Sequence, residues 1–531
     1  MSSFFGTDGI RGEAIDTPMD EADAIDVFFQ QRQLHPHIFR LVGEALAMNL
    51  DLFPGHGTTV IIGWDERPAN SNFAKQLTIG LRLHNCTVIH APITSTPVLH
   101  GLVLEHDARL GCMITASHNP VSDSGIKVFD SNGMKSLPER ELYLSNVMIQ
   151  LSAEERPVES EDEDILGLPE RIISSQESAQ FHQTWLMHRI SQWEQHPENS
   201  SKLNIHRPFL IDSSKGSAHT WFASFFASFT GIQSNEVSDS ANVLNEQCGA
   251  GELKPGDEWT IQEAKISSHA LIRALDYASP GTIVGAAIDG DGDRCFLLEC
   301  TDNGFRVVDG DKLASMILQP RQDTEWLVAM SIESDLEFQN FVAALNRSNK
   351  TKETAVGDRW LGHALHAELD TCSKEFDILG VEDSGHIVMS SYTPSQRPSV
   401  VGDGLATMMR CLLFGSIQND IKYGKKKRIS IPNPHRERWS TNSELYLACQ
   451  SMSTDCLQKL GYQTRSCIVE GEDNLLLIEF LNGQARGTVA IRNSGTQEKT
   501  NISLRVNRLC EMESFIELLG GLESVLTSAF S

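Results

Sequence analysis

Short apolar runs separated by helical stretches dominate the first part of this chain. Thr59-Val60-Ile61-Ile62-Gly63 reads as a buried strand, Asn72 to His84 as a helix, Cys86 to Ala91 as a strand and Gly111-Cys112-Met113-Ile114 as another, after a helix around His37 to Leu50. Strands alternating with helices predict an α/β fold, a mostly parallel sheet with helices on both faces. In such sheets ligands gather outside the carboxyl ends of the strands. A second αβ unit begins near Pro208-Phe209-Leu210-Ile211-Asp212, with Lys215 and Gly216 in a turn. A third follows Val308-Asp309-Gly310-Asp311, which opens a helix, and contains a strand-to-loop turn at Thr354-Ala355-Val356-Gly357-Asp358-Arg359. At 531 residues the chain is too long for one core and divides into three or four domains.

Composition narrows the partners. A net charge of −27 repels nucleic acid and anionic membrane, so a small anionic substrate needs a local positive pocket. Eleven cysteines carry no C-x-x-C pair or zinc spacing, which points to reduced, mostly buried thiols in a cytoplasmic protein. No basic and apolar leader opens the chain, and no apolar stretch approaches the roughly 20 residues that span a bilayer.

Thr115-Ala116-Ser117-His118-Asn119-Pro120 follows the last of the first strands. Asn119-Pro120 marks a turn and leaves Ser117 exposed at the strand's end, an ordinary surface turn on its own terms. A hydrolase nucleophile fits poorly, since G-x-S-x-G is absent and His118, adjacent in an extended segment, points away from Ser117. Lys127, in Asp123-Ser124-Gly125-Ile126-Lys127-Val128-Phe129, reads as a surface charge unless a phosphorylated serine lies beside it. Phe4-Phe5-Gly6-Thr7-Asp8-Gly9-Ile10-Arg11-Gly12 is a tight glycine loop rather than a dinucleotide fingerprint, with Arg11 able to reach a phosphate. The dense acidic run from Glu154 to Asp164 reads as a solvated loop.

Ile288-Asp289-Gly290-Asp291-Gly292-Asp293-Arg294 is the strongest local signal. Three aspartates at alternating positions can converge on one hard cation, with Mg²⁺ favoured because it needs few carboxylates and shares its shell with phosphate oxygens. An EF-hand fails: Arg294 stands where the sixth-position glycine is required and Cys300 where the glutamate is. In Gly380-Val381-Glu382-Asp383-Ser384-Gly385-His386, Glu382 and Ser384 point the same way in an extended loop and could hold adjacent sugar hydroxyls, although a helix cap reads equally well. Val489-Ala490-Ile491-Arg492-Asn493-Ser494-Gly495-Thr496 ends a strand with a guanidinium, two hydroxyls and backbone amides, a plausible phosphate cradle. Lys425-Lys426-Lys427-Arg428, before prolines 432 and 434, reads as an exposed joint between domains.

These motifs, in this order, resemble the α-D-phosphohexomutase superfamily, from about Phe4 to Arg505. The likeness is greatest to its aminosugar-phosphate members, on the opening glycine loop, the Ser117 stretch with Gly125-Ile126-Lys127, Asn245-Glu246-Gln247-Cys248-Gly249, Val308 to Asp311 and Val356 to Arg359. The resemblance implies three similar αβ domains and a smaller α+β domain around a central cleft, here residues 1–180, 181–303, 304–422 and 423–531. It implies a phosphoserine at Ser117, one Mg²⁺ held by Asp289, Asp291, Asp293 and a phosphoserine oxygen, and Arg11, His118, Lys127, Arg294 and His386 around the phosphoserine or moving protons. Glu382, Ser384 and His386 would bind the sugar, and Arg492, Ser494, Gly495 and Thr496 the distal phosphate. The implied reaction interconverts glucosamine 6-phosphate and glucosamine 1-phosphate through a bisphosphorylated sugar, which also serves as activator. The protein would be a monomer or homodimer with no nucleic-acid or membrane partner.

Departures keep other readings open. The family usually continues the last loop as Ser-Gly-Thr-Glu-Pro and then an arginine, where this chain has Gln497, Glu498 and Asn501. Ala250-Gly251-Glu252 replaces a Ser-Thr-His-like continuation, and Val381 and Asp383 are unusual in the sugar loop. A mutase for neutral glucose or mannose phosphates is the alternative, followed by a metal-dependent sugar phosphatase and a non-catalytic sugar-phosphate-binding protein.

Overall fold

A computed structural model describes residues 4–6, 8–154, 156, 160–194, 203–321, 324–371, 377–416, 423–494 and 498–531. The chain forms two compact units, Met1–Arg321 with Ser384–Ile417, and Gln322–Asp383 with Gln418–Ser531.

In the first unit a seven-stranded sheet runs in the order Gln33–Leu34, Ile10–Ala14, Asp123–Asp130, Leu110–Ile114, Thr59–Trp64, Thr87–Pro92, Arg171–Ile172. Thr59–Trp64 is parallel to both neighbours. Its unbroken apolar run follows from burial on both faces. Val60 and Ile62 join the core that contains Phe39, Phe73 and Leu77. Ile61, on the opposite face, joins the one with Leu99, Val103 and Met113. Helices Pro36–Met48 and Asn70–Arg82 cover the first face, with the rings of Phe39 and Phe73 stacked at 4.1 Å.

A second, six-stranded sheet has the order Glu258–Thr260, Gly304–Val308, Cys295–Cys300, Ile283–Ile288, Ile205–Asp212, Ser234–Glu236. Both sheets share a device that the helix-after-strand expectation does not contain. Leu110–Ile114, parallel to Thr59–Trp64, turns through the Ser117 loop into Asp123–Asp130, antiparallel to it with Met113 opposite Lys127. Likewise Ile283–Ile288, parallel to Ile205–Asp212, turns through the Asp289 loop into antiparallel Cys295–Cys300. Both motif loops are therefore hairpin connections. The strand Asp123–Asp130 escapes sequence reading because its polar residues Ser124 and Lys127 are buried, which erases the alternation that marks a half-solvated strand. Antiparallel strands Ile387–Tyr392 and Pro398–Gly402 and helix Gly404–Phe414 complete this unit's later segment.

In the second unit, strands Lys350–Thr354, Trp326–Ser331 and Asp377–Val381 are parallel. The terminal sheet is antiparallel, in the order Lys425–Pro432, Lys499–Val506, Ala485–Asn493, Leu476–Asn482, Gln463–Cys467. Helices Glu444–Lys459 and Ile516–Phe530 contribute to the core built on one of its faces. The basic run at Lys425 is thus an edge strand rather than a joint: charged residues are what an unpaired sheet edge tolerates. The acidic run beginning at Glu154 also departs from a plain loop, ending in helix Ser160–Leu166, where Lys75 Nζ donates to Asp164 at 2.9 Å. Among the described residues ten cysteines are free, and all but Cys456 and Cys467 are buried. No helix among them is long and apolar enough to cross a membrane.

His100, on helix Thr96–Glu105, ties parts of the first unit together. Its Nδ1 donates to Gly133 O and its Nε2 accepts from Ser399 Oγ, both at 2.8 Å. Burial pushes the ring down to about 4. Unfolded histidine protonates near 6.5. The unfolded chain therefore binds more protons between these values, and the stability is fully present above about pH 6.5 and lost as pH falls toward 4. At pH near 5 the loss from this group is about 2 kcal/mol. Urea unfolding near neutrality and at pH about 5 should show that loss in the wild type and a loss smaller by about 2 kcal/mol in His100→Asn.

Candidate active site

Ser117 sits at φ +53, in the left-handed region that costs an L-residue of this kind about 1–2 kcal/mol. Several bonds hold it there. Its N–H donates to Thr115 Oγ1 at 2.8 Å, and its carbonyl accepts from Arg67 Nη2 at 2.8 Å and Asn245 Nδ2 at 2.6 Å. Arg67, whose side chain is wholly buried, also donates to the carbonyls of Asn119, Pro120 and Asp123 and to the Asp65 carboxylate. One guanidinium thus binds four carbonyls of a single loop. The serine expected at an exposed strand end is 1% exposed, because the Asp289 loop lies over it and Asp289 Oδ2 accepts from Ser117 Oγ at 2.9 Å.

The three aspartates converge as their spacing predicts. Asp289, Asp291 and Asp293 are buried and bring one oxygen each within 4.8 Å of one another. Asp289 Oδ1 accepts from the amides of Asp293 and Arg294, both at 3.1 Å. Asp291 Oδ2 accepts from Thr96 Oγ1 at 2.6 Å and Lys127 Nζ at 2.7 Å, while its Oδ1 is buried without a partner. Asp293 meets Lys127 Nζ at 3.0 Å and His386 Nε2 at 3.0 Å. Burial, with Asp293 and Asp291 alongside, raises Asp289 to about 7. Burial also pushes Asp291 and Asp293 upward, yet the cations beside them, chiefly Lys127, hold both below the usual carboxylate range. Three buried carboxylates and an orphaned oxygen beside a serine hydroxyl fit a hard divalent cation.

Lys127, read as a possible surface charge, is 2% exposed. Burial alone would lower its pKa, but Asp291, Asp293 and Asp8 together hold it well above the ordinary lysine value. Asp8, which sequence reading passed over, gathers three cations: Lys127 at 3.1 Å, Lys135 at 2.9 Å and Arg11 at 3.2 Å. Arg11 also donates to Ala116 O at 3.2 Å, so it grips the Ser117 loop directly. Gly9, at φ +83, lets this segment pass the neighbouring strand, where a Cβ would stand 2.1 Å from Ile126 O.

His118 lies beside Ser117, but the extended geometry that would turn it away does not hold at a left-handed residue. Burial, then Arg294 and Arg11, press its pKa well below the usual value, and its Nδ1 has no partner. Ser117 Oγ is bonded to Asp289 and not to this ring. Behind it stands Gly251, where a Cβ would meet His118 Cβ at 2.5 Å. The segment from Asn245 to Gly251 therefore shapes the Ser117 loop, and a side chain at Gly251 would displace His118. Ser384 Oγ stands 3.4 Å from His386 Nδ1.

The remaining candidates belong to the second unit. Glu382 Oε1 accepts from Gly357 N at 2.6 Å. Val381 is buried, and Asp383 is paired with Lys426 at 2.9 Å, so both unusual loop residues are committed to holding the loop. Arg492 lies 3.4 Å from Glu333 and 3.9 Å from Glu472. Ser494 is 8% exposed, and its N–H donates to Lys499 O at 2.8 Å. Gly495, Thr496 and Gln497 lie outside the described residues.

Comparison with known proteins gives the family and the fold. Two family models match, phosphoglucomutase/phosphomannomutase alpha/beta/alpha domain I over residues 2–152 and domain III over residues 309–419. A solved phosphoglucomutase/phosphomannomutase family protein from Burkholderia thailandensis shares the fold, with a TM-score of 0.62 at 17% identity over 99% of this chain and 97% of that one. Phosphoglucosamine mutase from Staphylococcus epidermidis is 30% identical over 422 residues, 77% of each chain. That from Lactobacillus delbrueckii is 26% identical over 476 residues, 86% of this chain and 90% of the relative. The chain belongs to the α-D-phosphohexomutase superfamily, whose members are isomerase-class phosphotransferases. Within it, the chain lies near phosphoglucosamine mutase.

Replacing Arg67 by lysine puts three N–H donors on one atom in place of a planar fork that serves four loop carbonyls and the Asp65 carboxylate, and each hydrogen bond lost costs about 1 kcal/mol. Arg67→Lys should lower the melting temperature and speed hydrogen–deuterium exchange between residues 115 and 123; unchanged exchange there would show that other bonds suffice.

Proposed function

We propose that the chain interconverts glucosamine 6-phosphate and glucosamine 1-phosphate, with Ser117 as the phosphoryl carrier. The observation that carries this reading is the Ser117 hydroxyl bonded at 2.9 Å to Asp289 within a cluster of three buried carboxylates. The relatives named phosphoglucosamine mutase, matched over most of their length, support the aminosugar as substrate. The division into four domains at residues 180, 303 and 422 belongs to the same reading.

Asp289, Asp291 and Asp293 would hold Mg²⁺, with an oxygen of phosphorylated Ser117. When bound, the ion neutralises charge on the transferring group. In the first half-reaction the sugar's free hydroxyl oxygen attacks the phosphorus on Ser117 and gives up its proton, the P–Oγ bond breaks, and Oγ takes up a proton, so that none is gained or lost over the step. Three carboxylates keep Lys127 charged, which makes it unsuited to act as base and only a weak donor of that proton. Arg11 and Arg294 add fixed positive charge, and His118 and His386 are the remaining proton-bearing groups at the site. The sugar bisphosphate then presents its other phosphate to Ser117, which regains a phosphoryl group while the product leaves. Glu382, Ser384 and His386 would grip the sugar in either orientation. Arg492, Ser494, Gly495 and Thr496 would hold whichever phosphate is not reacting.

Asp383 and Val381, the residues that suggested a neutral hexose, are occupied within the protein, which removes that argument against the aminosugar. A ³¹P NMR time course with Mg²⁺ and a trace of sugar bisphosphate tests this. Glucosamine 6-phosphate should give its 1-phosphate faster than glucose or mannose 6-phosphate does; the reverse ranking moves the substrate, and release of inorganic phosphate instead makes the protein a phosphatase. Ser117→Ala and chelation of the metal should each lower isomerisation by about a thousandfold or more. Full activity in Ser117→Ala would sink the phosphoserine mechanism.

A further inference from the structure

The basic run Lys425-Lys426-Lys427-Arg428 has no part in the mechanism above, yet strand register gives it a place. In the terminal sheet Arg428 lies opposite Ser503 and Ser430 opposite Asn501, while Asn501 in turn lies opposite Arg492 on the next strand. Side chains two apart share a face. Lys426, Arg428 and Ser430 therefore line up with Asn501 and Arg492, while Ile429 and Ile431 turn to the opposite face and pack with helix Ile516–Phe530.

On the charged face two guanidiniums close on one carboxylate. Arg428 Nη2 is 2.7 Å from Glu333 Oε2, and Nη2 and Nε of Arg492 are each 3.4 Å from Glu333 Oε1. Each carboxylate oxygen is thus taken by a different arginine, the arrangement that also suits the oxygens of a phosphate. Arg428 keeps 40% of its side chain exposed, so it is accessible to a ligand. The arginine that usually follows the last phosphate loop is Asn501 here, and its side chain accepts from Ser430 Oγ at 2.7 Å instead of carrying charge.

We infer that Arg428 replaces that missing arginine: it is the second guanidinium of the distal phosphate site, and Glu333 is an internal anion that a sugar phosphate displaces. This rests on Arg492 binding phosphate, as proposed above. Displacement has a signature that a structural role lacks. If Glu333 only braces the two arginines, its loss loosens the site; if it competes with phosphate, its loss strengthens binding.

Isothermal titration of the full chain with glucosamine 6-phosphate, and separately with inorganic phosphate, distinguishes the two without relying on turnover. Arg428→Gln should weaken sugar-phosphate binding about tenfold or more, the scale of a lost charge-assisted hydrogen bond, with Arg428→Lys recovering part of it. Glu333→Gln should tighten binding of both ligands severalfold, and in the mutase assay KM should follow these changes more than kcat. Unchanged affinity in a folded Arg428→Gln, or weaker binding in Glu333→Gln, overturns the inference while leaving the mutase reading intact. A wild-type chain that isomerises hexose phosphates but not glucosamine phosphate overturns the substrate assignment instead, and one that binds neither ligand overturns both.

Discussion

Three carboxylates buried on one hairpin turn set the terms for the first unit. Removing Asp289, Asp291 and Asp293 from water costs several kcal/mol per charge unless counter-charges and donors meet them. The fold answers with Lys127 from the neighbouring sheet, His386 from the later segment, Thr96 from a helix start and two amides of the turn itself. Even so, burial and then the neighbouring Asp293 and Asp291 raise Asp289 to about 7. A divalent cation at the proposed site would relieve that cost.

The serine side of the site is held by the opposite means. Its loop has few charges and many carbonyls, and Arg67, Arg11 and Asn245 supply donors to them. This keeps Ser117 in a left-handed conformation with its hydroxyl against Asp289. In the proposed role, a serine that gains and loses a phosphoryl group would benefit from being fixed in advance, since phosphoryl transfer depends on position more than on covalent activation. The second unit repeats the theme with signs reversed: Lys426, Arg428, Arg492 and Arg505 on one sheet face meet Asp383, Glu333, Glu472 and Glu353. There cations and carboxylates are matched four to four.

Much of the architecture was legible in the chain. The strands Leu110–Ile114 and Ile283–Ile288 are buried throughout, so their apolar runs are unbroken, and the loops after them hold their chemistry within six residues. Lys425–Pro432 and Asp123–Asp130 were misread because their charged or polar side chains are neutralised or buried by distant partners, which leaves no local apolar pattern. Arg67, Asp8 and Glu333 were missed for a related reason: most of their partners lie far along the chain, and although Asp8 stands in the opening glycine motif, nothing local marks its role.

Sequence alone determined the α/β class, the trio of aspartates with their alternating spacing, and the phosphohexomutase order of motifs, because each of these is written in neighbouring residues. Tertiary structure decided which groups meet. It placed Lys127 against carboxylates 164 and 166 residues away, closed the Asp289 loop over Ser117, committed Asp383 to Lys426, and set Arg428 and Arg492 on one carboxylate. The reason is physical: burial and pairing of charge depend on distances in space, which strand register and sheet order create and local sequence does not contain.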